Sequence, residues 1–290
     1  MNIFQKIKNR LKYEFEKYLK KHFQFLKVER PYIIKVAPQF PLKGKIAIVT
    51  GGAGTIGRAC SFRLAAEGAT VYICGRNKYT LETLSLEMKE KGLNVKIKCL
   101  DVENAECIKK SFEDIANEND GIIDILVNSA GGSAREKTKE FTEQEVSTID
   151  FLLNVNLRGA MLCAKYVAPY MKKNGGKIIN ITSVIGIQGK ANFSEYAAAK
   201  GGSIAFVKSL AQELGQFKIN VNAVSPGIVQ RGEISTDALK RIQATNFLNA
   251  FGKPEDIANT VFFLCSEEAS FITGQNIIVD GGRSLGLKEN

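Results

Sequence analysis

The chain has 290 residues, 44% of them hydrophobic and 24% charged, with no tryptophan, one histidine and six cysteines. This is the composition of a globular protein with its own core, not of a disordered or fibrous chain, and no apolar run approaches the roughly 20 residues needed to cross a bilayer. The formal net charge is +10, but nine of the basic and three of the acidic residues fall within residues 1–30, so the remainder is only mildly basic and nucleic acid is not an expected partner.

Residues 2–27 are expected to form one amphipathic helix, with Phe4, Ile7, Leu11, Phe15, Tyr18, His22 and Leu26 recurring every three or four positions and the lysines mostly between them. Two readings of this basic segment, residues 1–30, stay open. Its apolar stripe packs on protein (its own domain or a neighbouring subunit), or it makes peripheral contact with an anionic membrane surface. A transit peptide is disfavoured, because the segment is Lys-rich, contains Glu14, Glu16 and Glu29, and lacks Ser. Pro31 ends the pattern, and residues 31–43, with Pro38 and Pro41, read as an extended linker.

Residues 44–290 form the second expected domain. Strands are expected at 45–50, 70–74, 95–99, 123–127, 176–181, 219–224 and 276–279. Helices are expected at 55–67, 78–91, 104–117, 142–171, 193–215 and 254–265. Seven strands alternating with helices predict an α/β fold with a doubly wound parallel sheet, a Rossmann fold. Residues 228–250 interrupt the alternation.

The first strand leads into Thr50-Gly51-Gly52-Ala53-Gly54-Thr55-Ile56-Gly57, and a helical pattern follows from Arg58. A β-branched run, spaced glycines and a helix start make a dinucleotide site: the glycines permit the turn and close approach, and the helix N-terminus attracts a pyrophosphate. The second strand ends in Gly75-Arg76. A carboxylate at the end of this strand would favour NAD through the ribose 2′-hydroxyl and repel a 2′-phosphate. Glycine followed by a guanidinium instead favours NADP over NAD, the alternative for Arg76 being a solvated loop charge or a stack on adenine.

Tyr196 and Lys200 stand four apart on one helical face, thirteen residues after Ser183 at the end of the fifth strand. An ammonium beside a phenol lowers its pKa from roughly 10 towards neutrality, which suits proton exchange at an alcohol or ketone oxygen. Ser183 is placed to hydrogen-bond the same oxygen. The only histidine, His22, lies outside this domain, so histidine base chemistry and His-rich metal sites are not expected. Cysteines 60, 74, 99, 107, 163 and 265 form no Cys-x-x-Cys pair and read as reduced residues of a cytoplasmic protein.

These motifs, with Asp101-Val102, Asn128-Ser129-Ala130-Gly131, Asn156, Pro226-Gly227 and Asp280-Gly281-Gly282 in order, resemble the short-chain dehydrogenase/reductase family over residues 42 to 286. The resemblance implies hydride transfer between a nicotinamide and a carbonyl or secondary alcohol. Tyr196 is then the general acid/base, Lys200 tunes it and binds the nicotinamide ribose, Ser183 polarises the carbonyl, and Asn156 holds a water linking Lys200 to solvent. For Asn156 a structural kink or cap is the other reading. Cofactor contacts are implied for Gly51, Gly54, Thr55, Ile56, Gly57, Arg76, Asp101, Val102, Asn128, Ala130, Gly131, Tyr196, Lys200, Pro226, Gly227 and Val229, with no metal. The family also implies a flap over the substrate at 228–250 and a homodimer or homotetramer through the helices near 142–171 and 193–215. Two positions depart from the family pattern. Ser129 replaces an Asn. Arg231 stands where many members carry a Thr, and is either a contact for an anionic substrate or a solvated charge. A small-molecule substrate is expected, a 3-oxoacyl thioester or a sugar or polyol; the competing class is a catalytically silent NADP-binding scaffold recruited by its N-terminal helix.

Overall fold

The computed structural model describes residues 3–22, 39–133, 135–230, 232 and 235–286, and the chain divides into two units, residues 1–38 and 39–290. In the first, α1 (Ile3–His22) presents Phe4, Ile7, Leu11 and Phe15 as exposed side chains. The expected continuation of the helix to residue 27, the His22 side chain and linker residues 31–38 lie outside the described residues.

The second unit runs β1 (Ile46–Thr50), α2 (Thr55–Ala66), β2 (Thr70–Gly75), α3 (Lys78–Glu90), β3 (Val95–Cys99), α4 (Ala105–Asn117), β4 (Ile125–Asn128), α5 (Val146–Leu153), α6 (Gly159–Met171), β5 (Gly176–Ile181), α7 (Ile185–Gln188), α8 (Ser194–Leu214), β6 (Ile219–Pro226), α9 (Thr236–Gln243), α10 (Pro254–Cys265) and β7 (Asn276–Val279). All strand pairs are parallel, in the order β3-β2-β1-β4-β5-β6-β7. The chain builds outward from β1 to β3 and then returns to place β4 on the other side of β1. That reversal opens a crevice at the carboxyl ends of β1 and β4, where ligands of such sheets bind.

The central strands are apolar on both faces because helices cover both. Ala47 and Val49 of β1 pack into the layer of α2, α3 and α10, with Leu64 and Val261. Ile48 points the other way, to Phe112 and Ile115 of α4 and Cys163 of α6. Each fully buried Ile, Leu or Val of this kind contributes about 1.5–3 kcal/mol. Leu42, just before β1, is also buried in the first layer.

Helix starts are fixed by short polar side chains. Asn77 accepts from Thr80 N–H at the start of α3, and Asn104 from Cys107 N–H at the start of α4, each cap contributing about 1 kcal/mol. Helix α2 has no side-chain cap at Gly54.

Besides the short α7, which was not expected, two regions differ from expectation. The single helix expected over 142–171 is instead a short turn at Phe141–Glu143, then α5, a π-turn at Asn154–Arg158, and α6. In the π-turn the Gly159 N–H reaches back five residues to the Asn154 carbonyl. The Asn156 side chain donates to the Leu152 carbonyl at 3.0 Å, one turn back. The second difference is that the irregular stretch after β6 contains a helix, α9, whose Leu239 and Ile242 sit three apart among polar residues.

Candidate active site

The cofactor end of the crevice is built by β1 and the loop after β4. Gly51 has φ +63°, and a Cβ there would lie 2.8 Å from Ala130 Cα, so a side chain is barred twice over. The Thr50 hydroxyl accepts from the Ser129 and Ala130 N–H groups, both at 3.2 Å, stapling β1 to the loop. Thr55, Ile56 and Gly57, the first residues of α2, line the cleft. No acidic residue lies in that turn and no side chain caps it. An uncapped N-terminus presents free N–H groups and about half a positive charge. This donor set fits the pyrophosphate of a dinucleotide.

At the end of β2, a Cβ on Gly75 would meet nothing nearer than Leu81 at 3.6 Å. Arg76 is largely exposed, with its guanidinium 3.9 Å from the Glu103 carboxylate. Arg158 donates to the Glu103 carbonyl at 2.9 Å. The strand end therefore carries no carboxylate, but one faces Arg76 from the turn after β3. Asp101 holds that turn by accepting from Glu103 N–H at 3.0 Å, and Val102 is buried against Gly159. Asn128 is buried and donates to Asn180 Oδ1 at 2.9 Å, while its own Oδ1 has no partner. Such an orphaned acceptor beside the crevice suits a ligand donor.

The catalytic end comes from β5 and α8. Ser183, Tyr196 and Lys200 are all buried and line the same cleft. The Ile185 N–H donates to Ser183 Oγ at 3.2 Å, which leaves the hydroxyl proton for a ligand oxygen. Lys200 Nζ donates to the Ile181 carbonyl at 2.8 Å and stands 5.8 Å from the centre of the Tyr196 ring. Burial pushes the Lys200 ammonium down to about 8. The turn bearing Ser183 is pressed onto α8: a Cβ on Gly186 would lie 2.7 Å from the Gly201 nitrogen and from the Lys200 carbonyl carbon.

Asn156 ties the two ends together. Its amide donates to the Gly132 carbonyl at 3.0 Å, and its Oδ1 accepts from the Gly132 N–H at 3.2 Å. A Cβ on Gly131 would lie 2.5 Å from Asn156 Oδ1 and 3.4 Å from Lys200 Nζ, so only glycine fits between them.

The cleft measures about 680 Å³ and joins Gly54 through Gly57, Gly131, Ser183, Tyr196, Lys200, Pro226, Gly227 and Val229. Gly51 and Asn156 support it through Ala130 and Gly132, as described. Arg76, Asp101, Val102, Asn128 and Ala130 lie outside its lining, at the ends of β2, β3 and β4. Arg231 lies outside the described residues. Sequence reasoning missed several liners, among them Gln188, Lys190, Phe193 and Arg283. The one local signal was Phe193, three residues before Tyr196.

Four of the six thiols are buried; burial pushes Cys60 and Cys74 up to about 12 and Cys163 and Cys265 upward as well, leaving them unreactive. Among the described residues, no group of three or more His, Cys, Asp or Glu is placed to hold a metal. No described helix is long and apolar enough to cross a membrane.

A family model described as enoyl-(acyl carrier protein) reductase matches residues 51–284. The 3-oxoacyl-[acyl-carrier-protein] reductase FabG of Aquifex aeolicus is 38% identical over 249 residues, covering 84% of this chain and 99% of that protein. Nodulation protein G of Rhizobium sp. (strain N33) is 36% identical over 252 residues, covering 85% of this chain and 99% of that one. Among solved structures, one from Agrobacterium tumefaciens, provisionally assigned as a gluconate dehydrogenase, superposes with a TM-score of 0.80. It is 29% identical, covering 86% of this chain and 99% of that one.

Proposed function

The chain belongs to the short-chain dehydrogenase/reductase family, and from that premise we propose that it is an NADP(H)-dependent oxidoreductase acting on a carbonyl or secondary alcohol. The observation that carries the reading is that Ser183, Tyr196 and Lys200 share one cleft with the uncapped start of α2. A hydroxyl pair for an oxygen and a donor set for a pyrophosphate thus stand at two ends of one cavity.

When bound, NADPH would be held by the turn after β1 and the start of α2 and would supply the hydride that reduces the carbonyl carbon. The protein's residues do the rest. Ser183, whose oxygen is already occupied by the Ile185 N–H, gives its proton to the carbonyl oxygen as a hydrogen bond and polarises it. Tyr196 donates the proton that completes the alcohol, and takes it back in the oxidation direction. Lys200, held by the Ile181 carbonyl, puts a positive charge beside the tyrosyl oxygen as that proton leaves. Asn156 holds the Gly131-Gly132 segment against the lysine, and the second lone pair of its amide oxygen is left for the water expected there.

NADP rather than NAD is supported by the space at Gly75 and the guanidinium of Arg76. The substrate is a 3-oxoacyl thioester, as the names of the reductase relatives suggest, or a sugar or polyol, as the dehydrogenase neighbour suggests. We place the enzyme in the cytoplasm, in keeping with its unpaired thiols, as a homodimer or homotetramer through the α5–α6 and α8 faces, where Val146 and Met161 are exposed.

The test is nicotinamide absorbance at 340 nm with 3-oxoacyl and enoyl thioesters, keto-sugars and polyols, for the natural protein and Tyr196→Phe. Carbonyl reduction that falls by roughly 10²–10⁴-fold in the variant is expected. Near-unchanged turnover in Tyr196→Phe, or turnover of the enoyl thioester alone, would overturn the mechanism. Tight NADPH binding with no turnover would favour the scaffold.

A further inference from the structure

The substrate half of the cleft carries an uneven set of charges. Arg135 enters it from the loop after β4, Lys190 from the turn after α7, and Arg283 from the turn after β7. Among the described residues, no aspartate or glutamate lines the cleft. None of the three cations forms a salt bridge with a described carboxylate. Their contacts are with neutral groups: Arg283 donates to the Thr245 hydroxyl, and Lys190 lies over the Phe193 ring, 4.4 Å from its centre.

Three segments far apart in the chain thus bring like charges to one concavity, with no described carboxylate to compensate them. Like charges gathered in a cleft repel one another and raise the local concentration of anions. The contacts to neutral partners fix where two of the cations sit without neutralising them. Thr245 holds Arg283 against the segment that follows α9, and the Phe193 ring holds Lys190 next to the helix bearing Tyr196.

We infer that the substrate carries an anionic group, a phosphate or a carboxylate, which Arg135, Lys190 and Arg283 hold while Ser183 and Tyr196 take the carbonyl oxygen. This rests on the reductase reading above and narrows its substrate class. A thioester whose thiol carrier bears phosphates fits, and so does a keto-sugar acid; a neutral polyol or an apolar ketone does not. The shared chemistry is an anion joined to the reacting carbonyl, and the two sources separate by experiment.

The experiment compares matched pairs with NADPH at low and high salt. Acetoacetyl-coenzyme A is set against the uncharged acetoacetyl-N-acetylcysteamine, and 5-keto-gluconate against fructose. The natural protein and the Arg135→Gln, Lys190→Gln and Arg283→Gln variants are measured by kcat/KM. For each pair, calorimetric binding to the protein loaded with NADP⁺ is measured as well. The anionic member of one pair is expected to exceed its neutral partner by roughly tenfold or more, an advantage that shrinks with salt and collapses towards one in the variants, chiefly through KM. The pair that shows it names the source of the charge.

Equal kcat/KM within both pairs, with turnover that Tyr196→Phe still abolishes, would overturn the inference and leave the reductase reading standing. Absence of turnover with a charge-dependent binding contrast that the Gln variants remove would uphold the inference and count against the reductase reading. Absence of any charge contrast in binding as well would overturn the inference.

Discussion

Replacing Lys200 with methionine should make the protein more stable and inactive at once. The ammonium is buried at the wall of the cleft, and burial alone drives its pKa from 10.5 down to about 8. A displacement of that size corresponds to about 3 kcal/mol of folding free energy withheld while the group is charged. Methionine has nearly the same length and no charge, so the desolvation penalty disappears. The substitution also strips the Ile181 carbonyl of its partner, at a cost of about 1–2 kcal/mol. The net expected at pH 7 is a gain of about 1–2 kcal/mol, or a melting temperature higher by roughly 2–8 °C for a domain of this size. The sign with pH follows from the depressed lysine. Between about 8 and 10.5 the unfolded chain binds more protons than the folded one, so the natural protein gains stability as pH rises across that window. The variant has no such dependence, and its advantage should fade by about pH 10. Urea unfolding of both proteins at pH 7, 8.5 and 10, without cofactor, reads the effect, and turnover reads the loss of function. A variant that is less stable at pH 7 by a constant amount at all three values would refute the reasoning, because the ammonium would then contribute more through packing and hydrogen bonding than its burial costs.

Arg76→Asp should move the NADP/NAD ratio of kcat/KM towards NAD by roughly 10–100-fold, since a charge-assisted contact is lost and a repulsion added; steady-state kinetics with both cofactors checks it, and an unchanged ratio would clear Arg76 of any role. Glu103→Gln removes the carboxylate 3.9 Å from that guanidinium and should lower the KM for NADPH more than for NADH. Gly186→Ala inserts a Cβ 2.7 Å from the backbone of α8, which should cost about 1–3 kcal/mol of stability and lower kcat more than it raises the KM for NADPH, because the turn holding Ser183 must retreat from the proton-transfer helix. If the α1 stripe contacts anionic membranes, Ile7→Glu with Leu11→Glu in the full chain should abolish sedimentation with phosphatidylserine vesicles; equal partition of both proteins would remove that reading.

Much of the architecture was legible because its signals are local. The seven strands are β-branched runs closed by glycine or polar residues, and the helices covering them keep their apolar stripes. The helix expected over 142–171 was legible as helix but not as broken, because the break depends on where the Asn156 side chain goes. Its amide reaches Gly132, twenty-four residues away, and no periodicity records that. Helix α9 was hidden for another reason: eight residues with Leu239 and Ile242 among charges look no different from a polar loop. In the site, Gly51 to Gly57 and the Ser183, Tyr196, Lys200 set could be read from spacing, since each motif lies within one turn or one helix face. Arg283 and Lys190 could not. They meet only because β7 adds to the sheet beside β6 and α7 folds back on α8, and each alone in the sequence is an ordinary surface charge.

The loop after β4 explains why the two ends of the cleft cannot be tuned separately. Its first residues donate to Thr50, so they move with the turn that would hold the pyrophosphate. Its next residues are clasped on both sides by Asn156, so they move with the π-turn. Between the two, Gly131 leaves no room for a methyl group beside Asn156 Oδ1, and Lys200 Nζ stands just beyond. A shift of a few tenths of an ångström in the turn after β1 is therefore passed through the buried Thr50 hydroxyl, the Gly131 backbone and the buried Asn156 amide towards the lysine. Close-packed interiors transmit strain in this way. Occupation of the cofactor end should then be felt at Lys200 before any substrate binds. A pH profile of the Tyr196-dependent step that is displaced when Gly51 or Gly131 is replaced by alanine, even at saturating cofactor, is the expected mark of that coupling. An unmoved profile with only a raised KM for NADPH would mean that the loop seats the cofactor and does nothing further.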